Sequence, residues 1–325
     1  MDFLINYYIV FLMQNHLTMT TGFFIWHAVT FLLMLIVLFV SVVIFNLIEK
    51  KLLVKFINTD SGINTETDQN NLPKSKFLTT ISIASVIFMW LLLPVTTSLY
   101  PIKTDVGIFF FMAFLFVPML NLLGSVELSD DKTAIKEKLH NIFFCLGGLL
   151  PVVLSATGVL LLTDSPAFRD IILIQNMHGF LSMFCFPCLI GVVVILVSLA
   201  AISSRFYPES SETPFMHFWK NAYFLTLCAY LVILFFGGYM PPLPFFAANF
   251  FEHSPLLYGL VLSIEQAFWL IIKTYLLYIG IIFIKSRFTS EIKTETFWKY
   301  LLPLAICNLF AVGFIAVKFG GFYVL

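Results

Sequence analysis

Charged residues are scarce in this chain, and the signatures of self-contained soluble enzymes are missing from it. Only 11% of its 325 residues are charged, 60% are hydrophobic, and the net charge is zero. This composition excludes a folded soluble monomer, and without a basic patch no nucleic acid partner is expected. The sequence has no phosphate-binding loop, dinucleotide glycine motif or nucleophile elbow, so an enzyme that acts alone is not expected.

Metal and redox motifs are equally sparse. The six histidines are scattered, and the five cysteines all fall within apolar stretches, where they are interpreted as small apolar residues. Cys185-Phe-Pro-Cys188 has the spacing of a redox motif, but it has no second pair and no strand–helix context. We therefore expect this chain to bind no metal and no iron–sulfur cluster itself.

The beginning of the chain lacks the features of a cleaved signal peptide. Asp2 stands where a basic residue is typical, and no small-residue cleavage site follows the apolar run Phe3–Met13. That run is too short to cross a bilayer, so residues 1–21 are predicted to form a surface segment.

Long apolar blocks dominate the rest of the sequence. Each block is close to or above the roughly 20 residues that an α-helix needs to cross about 30 Å of hydrocarbon. We predict an all-α integral membrane protein, a single domain of about eight transmembrane helices. The blocks are Gly22–Ile48, Phe77–Ser98, Val106–Leu123, Ile142–Leu162, Gly179–Ile202, Phe218–Met240, Leu256–Ile284 and Trp298–Val317. Prolines within blocks predict kinks at Pro118, Pro151, Pro187 and Pro303.

The positive charges predict the orientation of these helices. Fourteen of the 18 Lys and Arg residues lie in or beside alternate gaps between the blocks. Because cytoplasmic loops hold the excess of basic residues, these gaps face the inside and both termini face the outside. The predicted inside loops are residues 49–76, 124–141, 203–217 and 285–297. Within the second loop, Ser129–His140 alternates acids and bases, which fits either a short solvated helix or a contact surface for a soluble partner.

Two ionisable residues within one apolar block are candidates for membrane-embedded function. Glu265 and Lys273 are eight residues apart, which places both on nearly the same stripe of a helix. A lone Lys at mid-bilayer costs about 2.5–3.5 kcal/mol on insertion scales, so Lys273 should pair, face the bundle or reach an interface. Glu265 also fits a hydrated carboxylate near the outer surface.

Further candidates lie at the inside ends of the blocks. An acid followed by two bases ends the first block; the bases fit membrane anchors, whereas an acid at a helix C-terminus is disfavoured by the dipole. The other candidates belong to the third and fourth inside loops. These lining or docking candidates are Glu49, Lys50, Lys51, Arg205, Glu209, Glu212 and Arg287.

At these positions the chain resembles the membrane component of respiratory complex I that mitochondria carry as NADH–ubiquinone oxidoreductase chain 1, together with its bacterial counterpart. The clearest likeness runs from Ser286-Arg287-Phe288 through Glu291 and Trp298–Leu304 to Asn308, with Lys273-Thr274 upstream. Shorter motifs follow in the order of the family. They are Leu47–Leu53, Asp105–Ile108, Pro151, Ile171 with Gln175, Arg205, Pro214-Phe215 with Tyr223, and Phe236-Gly237-Gly238.

The resemblance implies a multi-pass subunit of the bacterial or mitochondrial inner membrane, placed where a peripheral redox arm meets the membrane arm. Its partners would be other membrane-arm subunits and peripheral iron–sulfur subunits that dock on the inside loops. Quinone would be a substrate of the whole NADH:quinone oxidoreductase, approaching from the lipid toward a cluster held by a neighbour. Proton translocation is the activity that the family couples to this step.

Several acids of the family pattern are replaced in this chain. Leu149, Ile202 and Ala222 stand where carboxylates are expected, and the loops at Phe56–Lys76 and Phe206–Thr213 are shortened. Because these side chains carry no proton, the sequence also fits a structural paralogue, including one in a membrane-bound hydrogenase, that has lost quinone and proton chemistry. A stand-alone transporter that uses Glu265 and Lys273 is a third interpretation.

Overall fold

Helices make up the regular structure of the parts of the chain that the computed structural model describes. These parts are residues 19–56, 76–119, 132–178, 188–205, 214–241, 255–288 and 294–319, and they contain no strand. The principal helices are α1 (Met19–Phe56), α2 (Lys76–Leu92), α3 (Gly107–Leu115), α4 (Lys132–Thr163), α5 (Phe168–His178), α6 (Cys188–Arg205), α7 (Pro214–Phe235), α8 (Pro255–Phe288) and α9 (Leu302–Phe319).

The described helices follow the apolar blocks. Five segments are long and apolar enough to cross a membrane, and three shorter apolar helices occupy the remaining blocks. The five are Ala28–Leu47, Lys138–Thr163, His217–Phe235, Tyr258–Lys285 and Phe297–Lys318, and the shorter ones are Phe77–Leu92, Gly107–Met119 and Cys188–Ser203. The all-α class and the multi-pass membrane character are confirmed for these residues, whereas the number eight and the side on which each terminus lies stay predictions.

Proline accounts for two differences between the predicted blocks and the observed helices. The second block is apolar to Ser98, but α2 ends at Leu92 because Pro94 disfavours helical dihedrals in the residue before it. Residues 93–106 then form a loop. In the third block, α3 gives way at Pro118 to the 3₁₀ turn Val117–Met119.

Helices also extend beyond the predicted blocks. The basic segment before the fourth block is not a separate short helix, because Lys132–His140 forms the first turns of α4. Likewise α1 continues to Phe56, through part of the segment predicted as the first inside loop. Helix α5 was not predicted, since its 11 residues include Arg169 and Asp170 and are too short to show as an apolar block.

Prolines inside the fourth and last blocks are accommodated in different ways. Pro151 lies within the continuous helix α4. Pro303 follows a π-helical stretch, Phe297–Leu301, which leads directly into α9. A π-bulge widens the hydrogen-bonding pattern locally and is one of the recognised causes of a helix kink.

Small residues allow α4, α6 and α9 to pack closely. A Cβ atom at Gly148 would lie only 2.6 Å from Cγ1 of Ile202, and one at Gly158 would lie 3.7 Å from Val312. Close backbone approach of this kind is typical of membrane helices, whose association depends on van der Waals packing rather than on release of water.

Gly148→Ala should therefore destabilise the bundle by about 1–3 kcal/mol, because the added methyl group overlaps Ile202 in a fully packed interface. Gly280→Ala on α8 is the matched control, since no atom lies within 4 Å of the added Cβ. The control should be neutral or stabilising by up to about 1 kcal/mol. The half-life of the folded chain in detergent at a fixed temperature measures both effects, and equal half-lives for the two variants would contradict the packing described.

Candidate functional site

At the C-terminal end of α7, several backbone carbonyls accept hydrogen bonds from side chains of other helices. The helix ends at Phe235 because Gly237 and Gly238 adopt left-handed dihedrals, with φ of 71° and 54°. The Gly238 N–H closes the end by donating to the Val232 carbonyl at 3.0 Å. A Cβ atom added at Gly238 would lie only 2.8 Å from Cδ1 of Ile172. Both the positive φ and this close contact therefore require glycine at the position.

Lys273 supplies hydrogen bonds to the turn that follows α7. Its Nζ donates to the carbonyl oxygens of Phe236, Gly238 and Met240 at 2.7, 3.1 and 2.5 Å. The carbonyls of this turn lie just beyond the C-terminal end of α7, which is the negative end of the helix dipole, so a cation is favoured there. These bonds explain how a lysine is retained within an apolar helix, and they favour a role in capping over one in carrying a solute.

Gln175 performs a similar task one turn earlier. Its Nε2 donates to the carbonyls of Ile233 at 3.0 Å and Leu234 at 2.8 Å, and its side chain is fully buried. We call Gln175, Lys273 and the five backbone carbonyls that they bind the carbonyl cap. Through it, α5 and α8 are both fixed to the end of α7.

A second polar cluster joins α1 to the beginning of α7. Nδ2 of Asn221 donates to Oδ1 of Asn46 at 2.5 Å and lies 3.2 Å from Nε2 of His217. Asn221 is almost fully buried, and His217 and Asn46 are partly exposed. We call these three residues the His–Asn cluster. It provides a titratable ring and two amides between a pair of membrane helices.

A narrow cleft begins about one helical turn from the His–Asn cluster. Ser41 on α1 and Leu225 on α7 lie five and four residues from Asn46 and Asn221. The complete lining is Ser41, Trp90, Val95, Leu225, Leu270, Ile271, Thr274 and Tyr275. Tyr275 donates its hydroxyl to the Ser41 carbonyl at 2.6 Å and so closes part of the wall. The walls are largely apolar with a few hydroxyl groups, and the accessible volume of about 10 Å³ is close to that of one water molecule.

The predicted site residues fall in several parts of the fold. Glu265 lies on α8, about 12 Å along the helix axis from Lys273, whose ammonium is directed to the carbonyl cap. Five of the lining or docking candidates at the predicted inside ends lie within described helices: three on α1 near its C-terminal end, one at the end of α6 and one at the end of α8. The structure describes their backbone but not their side chains. The five residues are Glu49, Lys50, Lys51, Arg205 and Arg287. Glu209 and Glu212 lie outside the described residues, as does Cys185 of the candidate redox motif.

The three positions where the resemblance predicts acids all lie in the apolar core. Leu149 on α4, Ile202 on α6 and Ala222 on α7 have no exposed surface. Ile202 fills the space left by Gly148, next to the ring of Phe297. An ionised carboxylate at any of them would need a partner that this packing does not offer.

Sequence reasoning missed the His–Asn cluster as a candidate site. Its signal is the spacing of His217 and Asn221, four residues apart on one face of a predicted helix and close to its inside end. The partner residue Asn46 comes from a helix 175 residues away in sequence, and that contact has no sequence signal.

A model of the NADH dehydrogenase family matches residues 206–313. This match supports the family predicted from the motifs. The matched segment is about a third of the chain and contains α7, α8 and most of α9. Several motif residues within it have a visible structural role: Phe236-Gly237-Gly238 and Lys273 form much of the carbonyl cap. Tyr223 donates its hydroxyl to the Leu115 carbonyl at 2.8 Å, which links α7 to α3.

The match supports a membrane subunit of a complex I-type assembly, in which other subunits are implied. Gln175 lies before the matched segment, but it binds carbonyls within it. A motif residue from the earlier part of the chain, Gln175, is therefore part of the same carbonyl cap as the motif residues of the matched segment.

Lys273→Met should destabilise the folded chain by about 2–4 kcal/mol, because three carbonyls lose a charged donor in a largely apolar setting. Lys299→Met is the control: its ion pair with Glu295 is exposed, and its loss should cost less than about 1 kcal/mol. The fraction of chain that stays monodisperse in detergent after heating measures the difference. Equal resistance of the two variants to heating would show that the cap contributes little.

Proposed function

We propose that this chain is the membrane subunit that joins the peripheral redox arm to the membrane arm in a complex I-type NADH:quinone oxidoreductase. The observation that carries the proposal is the family match at residues 206–313. Motif residues within the matched segment meet at the carbonyl cap, which agrees with it. The base-rich side would be the docking face for peripheral iron–sulfur subunits. The chain itself would hold no cluster and would act only within the assembly.

A contribution to the quinone chamber is the finer part of the proposal. The His–Asn cluster offers amide and imidazole groups for a quinone carbonyl, and the lining of the adjoining cleft is largely apolar. The cleft would have to widen to admit the ring or tail. Glu49 lies three residues beyond Asn46 on α1, at the same end of the helix. These groups support a polar inner end and an apolar approach from the lipid, which is the arrangement that a hydrophobic quinone requires.

One observation favours a second candidate, a structural paralogue without quinone or proton chemistry, in a complex I-like or hydrogenase assembly. Leu149, Ile202 and Ala222 are buried and apolar where the family pattern has acids. A proton path through these positions has no carrier. Under this alternative the docking role remains, and the His–Asn cluster only fastens α1 to α7.

The two candidates are separated by activity measurements on the purified native assembly. If the chamber is formed here, Asn221→Leu and Glu49→Gln should each lower NADH:quinone reductase activity about tenfold or more. Reduction of a soluble acceptor by the peripheral arm should be unchanged. Thr157→Val is the control, since that hydroxyl donates to Val153 within its own helix at 2.9 Å.

Unchanged quinone reduction in both variants, with the iron–sulfur subunits still bound, would support the structural paralogue. Purification of the tagged chain without any complex I-type or hydrogenase-type subunit would overturn both candidates. The subunit content of each purified variant, measured beside its activity, keeps loss of assembly distinct from loss of activity.

A further inference from the structure

The interface of α4, α6 and α9 contains buried polar atoms that the packing described so far does not explain. Oγ of Ser155 and Oδ1 of Asn308 are buried and have no hydrogen-bond partner among the residues that the structure describes. Ser155 is 2% exposed and Asn308 is 3% exposed. An unsatisfied buried group of this kind destabilises the folded state, and no bulk water is available in the interior to satisfy it.

The two side chains meet at one glycine. A Cβ atom built on Gly191 of α6 would lie 3.0 Å from Nδ2 of Asn308 and 3.5 Å from Oγ of Ser155. These distances place Nδ2 of Asn308 and Oγ of Ser155 at most 6.5 Å apart. The unsatisfied Oδ1 is the other atom of the same amide, and the two exchange places if the amide is turned end for end. A single water molecule with hydrogen bonds of about 2.8–2.9 Å on each side joins polar atoms up to nearly 6 Å apart.

The absence of a side chain at Gly191 is what admits both polar groups to this position. Asn308 lies near the middle of the span Phe297–Lys318, and Ser155 lies within the span Lys138–Thr163. Each comes from a different helix, and the glycine belongs to a third. Buried waters in proteins typically make about three hydrogen bonds to groups that would otherwise be unsatisfied.

We propose that Ser155 and Asn308, which meet where Gly191 has no side chain, form a binding site for one internal water molecule at the junction of α4, α6 and α9 inside the membrane. The water donates one hydrogen bond to the Asn308 amide oxygen. Its second hydrogen bond is to the Ser155 hydroxyl, which can act as donor or acceptor. An amide turned end for end is served equally well, because water also accepts from an amide N–H. The site does not depend on the function proposed above.

A double-mutant cycle on the full chain tests whether the two groups share one site. Ser155→Ala alone should shorten the half-life of the folded chain in detergent by up to about tenfold, because it removes one partner of the bound water. In the Asn308→Leu background the same change should alter the half-life less than about twofold. Ser85→Ala is the control, since its buried hydroxyl donates to Ser82 within α2 at 2.7 Å.

Two results of the cycle would overturn the site. If the hydroxyl is merely unsatisfied, Ser155→Ala should lengthen the half-life. If the two groups act independently, its effect should be the same in both backgrounds. A density map of the native chain at a resolution that shows waters provides a measurement that does not depend on the folding of any variant. A peak within about 3 Å of both side chains supports the site, and direct contact between Ser155 and Asn308 or an empty junction overturns it.

Discussion

The need to satisfy backbone carbonyls away from water is the constraint on which this structure most depends. Helix α7 ends among neighbouring helices, and the carbonyls between Ile233 and Met240 receive hydrogen bonds from Gln175 and Lys273. Hydrocarbon offers no donors, so these two side chains do what solvent does at the end of a soluble helix. The same bonds fix α5 and α8 to α7, and the family motifs are concentrated at this place.

Most of the helices could be predicted from the sequence because a bilayer demands a long apolar run, and such runs are plain in the chain. Helix α5 could not, since it is short and begins with charged residues. Pro94 indicated that α2 ends early, but the prediction followed the apolar block as far as Ser98. Helix periodicity reports on one helix at a time, so it suggested Glu265 as a neighbour of Lys273. The carbonyls that Lys273 binds lie 33 to 37 residues earlier, in the turn that follows α7.

The candidate site was predicted only in part, for the same reason. The replaced acids at Leu149, Ile202 and Ala222 were visible in the order of the motifs, and their complete burial explains how the chain tolerates apolar residues there. The His–Asn cluster needs a contact between α1 and α7 that no local pattern announces. This chain therefore combines a well-formed carbonyl cap with an interior that is apolar at three positions where the resemblance predicts carboxylates.

The central claim is that the base-rich side of this membrane subunit meets an iron–sulfur arm. Lysine-directed cross-linking of native membranes, followed by mass spectrometry, tests it most directly. Lys136, Lys103 and Lys318 are all exposed, the first on the predicted inside and the other two on the predicted outside. The account predicts cross-links from Lys136 to a peripheral iron–sulfur subunit and none from Lys103 or Lys318. Links to such a subunit from Lys103 or Lys318, and not from Lys136, would contradict it.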